Sequence, residues 1–259
     1  MPTVKAKITR KLSLILLALS FTLTLLRVLA SFTNLPVPPA FMILVTSTIF
    51  IAALLSSIES LGYDGAILLL TLSSIIGLLM EFLGVLYGFP FGKYSYSGRA
   101  KPMILGLVPL NIPLFWFVIT YSSASITNIV LKPKSGTKWK AAASLLDGLC
   151  ATAWDLIMDP VQVNIMHSWT WEAGGSFYGV PVTNFIGWIL VVWLITFVFR
   201  TVYHGRWRRT DVPLLIYLQL WFATVAAALV GGHPEYVPAS IAMIIFTLLY
   251  VARRKPKHI

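Results

Sequence analysis

Runs of about twenty apolar residues follow one another along nearly the whole chain, each long enough to cross a bilayer as a helix. Only 11% of the 259 residues are charged, against about a quarter in soluble domains, and the mean hydropathy is +0.82. Inside hydrocarbon every backbone polar group must be satisfied by the protein itself, which leaves helices or a closed barrel. The alternating segments of about ten residues that mark a barrel are absent from the sequence. The expected fold is therefore all-α, a polytopic transmembrane helical bundle that forms one integral membrane domain over residues 1–259.

About eight spans are expected, with approximate cores at 12–29, 39–58, 65–86, 104–122, 139–159, 185–203, 213–230 and 237–251. The first carries Arg27 and also reads as a signal sequence, from its basic start and the cleavage-like Val28-Leu29-Ala30; cleavage would leave seven. The net charge of +11 sits in short blocks beside the spans: Lys5, Lys7, Arg10 and Lys11; Lys132, Lys134, Lys138 and Lys140; Arg200, Arg206, Arg208 and Arg209; Arg253, Arg254, Lys255 and Lys257. With eight spans all four blocks fall on one side, which predicts a multi-pass protein of the cell membrane with both termini cytoplasmic. Blocks of this kind orient a membrane protein against lipid and argue against a nucleic-acid partner. Lys93, Arg99 and Lys101 fall on the opposite side, so something structural is expected to hold their loop there. The lone Cys150 rules out an intrachain disulfide and a cysteine zinc site.

Against this background the stretch Asp147-Gly148-Leu149-Cys150-Ala151-Thr152-Ala153-Trp154-Asp155-Leu156-Ile157-Met158-Asp159-Pro160 is anomalous. An ionised Asp at mid-bilayer costs roughly 2.5–3.5 kcal/mol, so such residues face a protein interior and usually act there. Asp155 and Asp159, four apart, share one helix face, and Gly148 and Ala151 extend it for a close helix neighbour. Asp147 is rotated off that face and reads as a packing or gating residue. In the third span Gly77, Glu81, Gly84 and Gly88 form a stripe of small residues around a second intramembrane acid, which is either functional or a packing face with a hydrogen-bonded carboxyl.

The following Gly88-Phe89-Pro90-Phe91-Gly92-Lys93-Tyr94-Ser95-Tyr96 must turn sharply. It reads as an aromatic lid of Phe89, Phe91, Tyr94 and Tyr96, or as an ordinary interfacial belt. Pro109, Asn111, Pro113 and Trp116 are expected inside the fourth span, where prolines free carbonyls and Asn111 meets an acid or a neighbouring helix. His167 with Glu172 lacks metal-site spacing, so no metal centre is expected.

Glu81-Phe82-Leu83-Gly84 through Tyr96, then Val108-Pro109-Leu110-Asn111-Ile112-Pro113 with Trp116, form two motifs. Ala153-Trp154-Asp155-Leu156-Ile157-Met158-Asp159-Pro160 opens a third. It continues with Trp169 and Trp171, Gly175 to Pro181 including Tyr178, and Asn184-Phe185 with Gly187-Trp188. In this order, over residues 75–200, they resemble the carotenoid-biosynthesis membrane proteins, a family that includes bisanhydrobacterioruberin hydratases and γ-carotene 1′-hydroxylases. The resemblance implies a cofactor-independent hydro-lyase, with none of the usual prosthetic groups. It would add water across the terminal 1,2 double bond of an acyclic ψ-end carotenoid and give a tertiary alcohol in bacterioruberin-type, isoprenoid-derived carotenoid biosynthesis. It also implies a carotenoid substrate in membrane lipid, with other carotenoid-biosynthesis membrane enzymes as candidate partners.

Roles for particular residues follow from the chemistry. Hydrating a trisubstituted alkene needs a proton donor at C2, stabilisation of a cation at C1, and a water guided by a base. Two carboxyls on one face titrate as a pair, so one can hold the proton while the other accepts. The expected catalytic residues are Asp155, the favoured donor, with Asp159 and Glu81. The expected substrate contacts are Tyr94, Tyr96, Asn111, Trp116, Trp154, Trp169, Trp171, Tyr178, Asn184 and Trp188; among them the π faces of Trp116, Trp154, Trp188 and the tyrosines suit a cation. The Asp-x-x-x-Asp spacing also fits an intramembrane prenyltransferase, and midplane acids also fit a proton- or cation-coupled transporter. Neither second diphosphate motif nor repeat symmetry accompanies them.

Overall fold

The computed structural model describes residues 4–32, 39–98, 101–131 and 134–254. Of the charged residues named above, Arg99, Lys132, Lys255 and Lys257 lie outside the described residues. The elements in order are α1 (Val4–Phe32), α2 (Pro39–Tyr87), β1 (Tyr94–Tyr96), β2 (Met103–Ile104), β3 (Val108–Pro109), α3 (Asn111–Leu131), α4 (Thr137–Asn164), β4 (Trp169–Trp171), α5 (Val182–Val202), α6 (Val212–Val230), a 3₁₀ turn (Pro234–Ser240) and α7 (Ile241–Arg254). Among the described residues seven helices are long and apolar enough to cross a membrane.

One of the seven, α2, counts twice. Gly62 has φ 77 and ψ 173, a left-handed conformation open to glycine, and it splits α2 into 39–61 and 63–87. The chain reverses there. Met42 meets Arg27, which also approaches Met166 at 3.5 Å, whereas the Leu61 carbonyl accepts from Tyr203 at 2.5 Å and the Ser60 carbonyl from Arg208 N–H at 2.8 Å. Glu81, late in the second half, is back beside Tyr94 and Tyr96, whose strand pairs with Trp169–Trp171. Eight crossing-length segments result, with α3 and α4 the most enclosed and the outer helices turning residues such as Ile15, Leu26, Ile75 and Leu248 outward.

Described members of three basic blocks, Arg10, Arg208 and Arg254, gather at one end. Asp211 at the start of α6 pairs with Arg10 at 3.8 Å and with Arg254, while Arg208 joins the Gly62 reversal. At the opposite end β1 pairs antiparallel with β4, Tyr94 facing Trp171 and Tyr96 facing Trp169. This two-stranded cap holds the loop that breaks the charge rule, and its Lys93 pairs with Glu172 at 3.2 Å, both exposed.

Two span boundaries need correction. The fourth span begins at Asn111, not 104, because residues 103–109 form a short hairpin in which Ile104 pairs with Val108. Pro109 therefore lies in a strand and Pro113 in the first turn of α3, where the missing N–H breaks no helical bond; the expected interruption of that span does not occur. The fifth span runs past Pro160 to Asn164, whose side-chain amide returns to the Pro160 carbonyl at 3.0 Å.

Candidate functional site

Three buried carboxyls converge under the β1–β4 cap. Asp155 and Asp159 lie one turn apart on α4, and Asn184 reaches them from the first turn of α5. Its single side-chain amide donates to Asp155 Oδ2 at 2.8 Å and to Asp159 Oδ2 at 2.5 Å. Gly148 makes this approach possible, since a Cβ there would stand 2.6 Å from the Ile189 carbonyl oxygen of α5. Asp155 is fully buried, and its Oδ1 has no partner among the protein atoms.

Glu81 comes from α2 and is engaged on both oxygens. Its Oε2 accepts from the Tyr94 hydroxyl and from the Tyr96 hydroxyl at 2.5 Å, and its Oε1 accepts from Trp116 Nε1 at 2.9 Å. Burial and the adjacent Glu81 charge push both phenols well above their ordinary value, so they stay protonated donors. The small-residue stripe on α2 seats aromatic rings, one from the neighbouring helix α3 and others from the cap. A Cβ at Gly77 would fall 2.5 Å from Trp116, and one at Gly84 2.7 Å from Tyr94.

Around the carboxyls the rings form a continuous wall. Trp116 lies 4.5 Å from Trp188 and 6.1 Å from Phe91, centroid to centroid, and Trp188 meets Trp154 edge-on at 6.1 Å. Tyr94 contacts Trp171 at 5.7 Å and Tyr96 contacts Trp169 at 5.7 Å, while Trp169 also adjoins Asp159. Trp171 Nε1 donates to the Phe91 carbonyl at 2.9 Å, and Trp154 Nε1 to Thr224 at 3.1 Å. Chemically, this is a pair of neighbouring carboxyls and a third acid, met by neutral donors and π faces, with no fixed cation among their hydrogen-bond partners in the described residues.

Not every expected residue joins it. Asn111 is exposed at the first residue of α3 and donates to none of the three acids, because the late start of that helix leaves it at the rim. Tyr178 is 40% exposed and bonds the Glu235 carbonyl at 3.1 Å, with its ring against Phe177 and Tyr236. Phe89 points outward from the lid, whereas Phe91 is buried at its centre against Trp116 and Tyr94. His167 bonds the Val163 carbonyl at 3.0 Å, and no group of three metal-ligating side chains forms among the described residues.

Asp147 has a different partner. Arg200, which the sequence groups with a solvated basic block, is buried in the last turn of α5 and donates to Asp147 Oδ2 at 2.7 Å and to Asn128 at 2.9 Å. Trp139 and Trp207 lie over its guanidinium at 5.7 and 5.5 Å, and Thr127 donates to the remaining Asp147 oxygen. A charge run at a span end gave no sign of this, because burial of one member is decided by the neighbouring helices.

Comparison with known proteins adds to this geometry. The profile of a family described as carotenoid biosynthesis protein matches residues 37–249. A protein named bisanhydrobacterioruberin hydratase, from Haloarcula japonica, is 28% identical over 169 residues, 64% of this chain. The chain spans 56% of that relative's length. No solved structure matches.

Proposed function

Because the chain belongs to the family of carotenoid biosynthesis proteins, we propose that it is a hydratase acting on the ψ-end of an acyclic carotenoid. The observation that carries this reading is the pairing of Asp155 and Asp159 on one Asn184 amide inside the aromatic wall. The Asp pair holds one proton between two carboxyls, and Asp155, with its free Oδ1, delivers it to C2 of the terminal double bond. The tertiary cation left at C1 faces Trp116, Trp154 and Trp188 and the negative charge of Glu81, which three neutral donors hold in place. Asp159 orients a water, whose oxygen bonds to C1 while its proton passes to the Asp pair. The acid is thereby restored, and the net change is one water added to one double bond.

The same features weigh against a prenyltransferase. Both carboxyls of the Asp-x-x-x-Asp pair are already engaged by an amide, and Lys93, the nearest base in the lid, is turned to Glu172. A transporter leaves the aromatic wall unexplained. The basic end is assigned to the cytoplasm, which puts the acid cluster nearer the opposite face.

Expression in cells that accumulate an acyclic carotenoid, with pigment mass read for added water, tests the activity. Asp155→Asn and Asp159→Asn should each abolish the hydrated product while membrane insertion persists. Full activity in both variants, or no hydrated product from several ψ-end carotenoids, would overturn the proposal.

A further inference from the structure

Hydration consumes a water at a place walled by tryptophans, so the route by which water arrives is a question the site itself raises. Trp116, Thr120, Ser123 and Thr127 are spaced four, three and four apart on α3, which puts them on one helix face. All four are buried, Thr120, Ser123 and Thr127 completely. The two ends of this face are pinned at different carboxylates. Trp116 donates to Glu81 in the acid cluster, and Thr127 donates to Asp147 beside Arg200. The face therefore joins the two charged centres over eleven residues, about 16 Å of helix.

Between the ends, Thr120 Oγ1 has no hydrogen-bond partner in the protein, and Ser123 Oγ has none either, though it adjoins the Cys150 thiol. On α4, Asp155 Oδ1 is likewise buried and unpartnered. A single unsatisfied buried hydroxyl is costly, and two adjacent on one helix face call for a shared polar occupant. At the basic end a cavity of about 30 Å³, lined by Ser125, Asn128, Trp207 and Thr210, has room for a water beside the Arg200 cluster.

We infer that the Thr127–Ser123–Thr120 face of α3 conducts water from the Asp147–Arg200 end to the acid cluster, where it serves as the second substrate. This rests on the hydratase reading. The hydroxyls act as successive hydrogen-bond stations, and the ion pair holds the entrance in register. Asp155 Oδ1 and Asp159 receive the water at the far end.

The test uses the full chain in membranes, with a ψ-end carotenoid in D₂O. A cation that waits for water loses a proton back and returns alkene carrying deuterium at the chain end. The double variant Thr120→Val with Ser123→Ala should hydrate about tenfold more slowly, the effect of losing about one hydrogen bond's worth of stabilisation. Its recovered carotenoid should carry a larger share of deuterium relative to product than that of the unmodified chain. Thr120→Ser should hydrate as the unmodified chain does, since it keeps the hydroxyl. Unchanged hydration in the double variant, or hydration and exchange lost in equal proportion, overturns the inference while leaving the hydratase reading in place. Neither hydration nor exchange by the unmodified chain overturns the reading, and this inference with it.

Discussion

Asp147 and Asp155 stand eight residues apart on one helix and are both fully buried, yet they are met in opposite ways. Asp147 has a guanidinium at 2.7 Å, a threonine hydroxyl and two tryptophans behind its partner. Asp155 has a shared amide hydrogen bond at 2.8 Å, the Asp159 carboxyl beside it and an oxygen with no partner. Burial alone thus says little about what an intramembrane acid does. An acid neutralised by a fixed cation can fasten helices but has no proton to spare. One met by a neutral amide and a second carboxyl has no fixed cation to neutralise it, and the proposed chemistry is assigned there for that reason.

The comparison breaks first at Arg200. Arg200→Ala leaves Asp147 as a buried charge without a counter-ion and should destabilise the fold by about 3–5 kcal/mol, read as a lower midpoint of thermal unfolding in detergent. Arg200→Met combined with Asp147→Leu should recover most of that loss, because it removes both charges together. Normal stability in Arg200→Ala would mean that the inner pair fastens nothing.

At the outer cluster the expected losses are in rate. Glu81→Gln removes the carboxylate proposed to face the cation and should slow hydration about 10²–10³-fold with little change in unfolding midpoint. Tyr94→Phe removes one charge-assisted hydrogen bond to Glu81 and should cost about 1.5–3 kcal/mol of the stabilisation it gives, roughly ten- to a hundredfold in rate. An effect of Tyr94→Phe equal to that of Glu81→Gln would mean the phenol itself handles the proton.

A pH series sharpens the role of the cap. Burial, and then the Glu81 charge, raise the phenols of Tyr94 and Tyr96 above their unfolded value of about 10. Their contribution to stability is therefore complete below the unfolded value and is lost as pH rises toward the folded one. Unfolding midpoints should fall more steeply above about pH 10 in the unmodified chain than in Tyr94→Phe with Tyr96→Phe. The smallest effect belongs to the rim: Asn111→Ala should leave hydration within about twofold and stability within about 0.5 kcal/mol, as for other exposed positions away from caps and partners.

The sequence by itself determined the class and the crossing segments, because hydrophobic length is a local property. The reversal between residues 58 and 65 was legible for the same reason, although helix geometry nearly conceals it at Gly62. It also made Asp155, Asp159 and Glu81 stand out as candidates, since an acid in an apolar run is conspicuous without any partner in view. What only the tertiary structure decided is the partners. Asn184 is 25 residues from Asp159 along the chain, Trp116 is 35 from Glu81, and Arg200 is 53 from Asp147. Nothing local distinguishes an Arg bound for solvent from one bound for Asp147. That choice is made when α3, α4 and α5 pack, as is the exclusion of Asn111 by a helix that starts seven residues later than its hydrophobicity suggests.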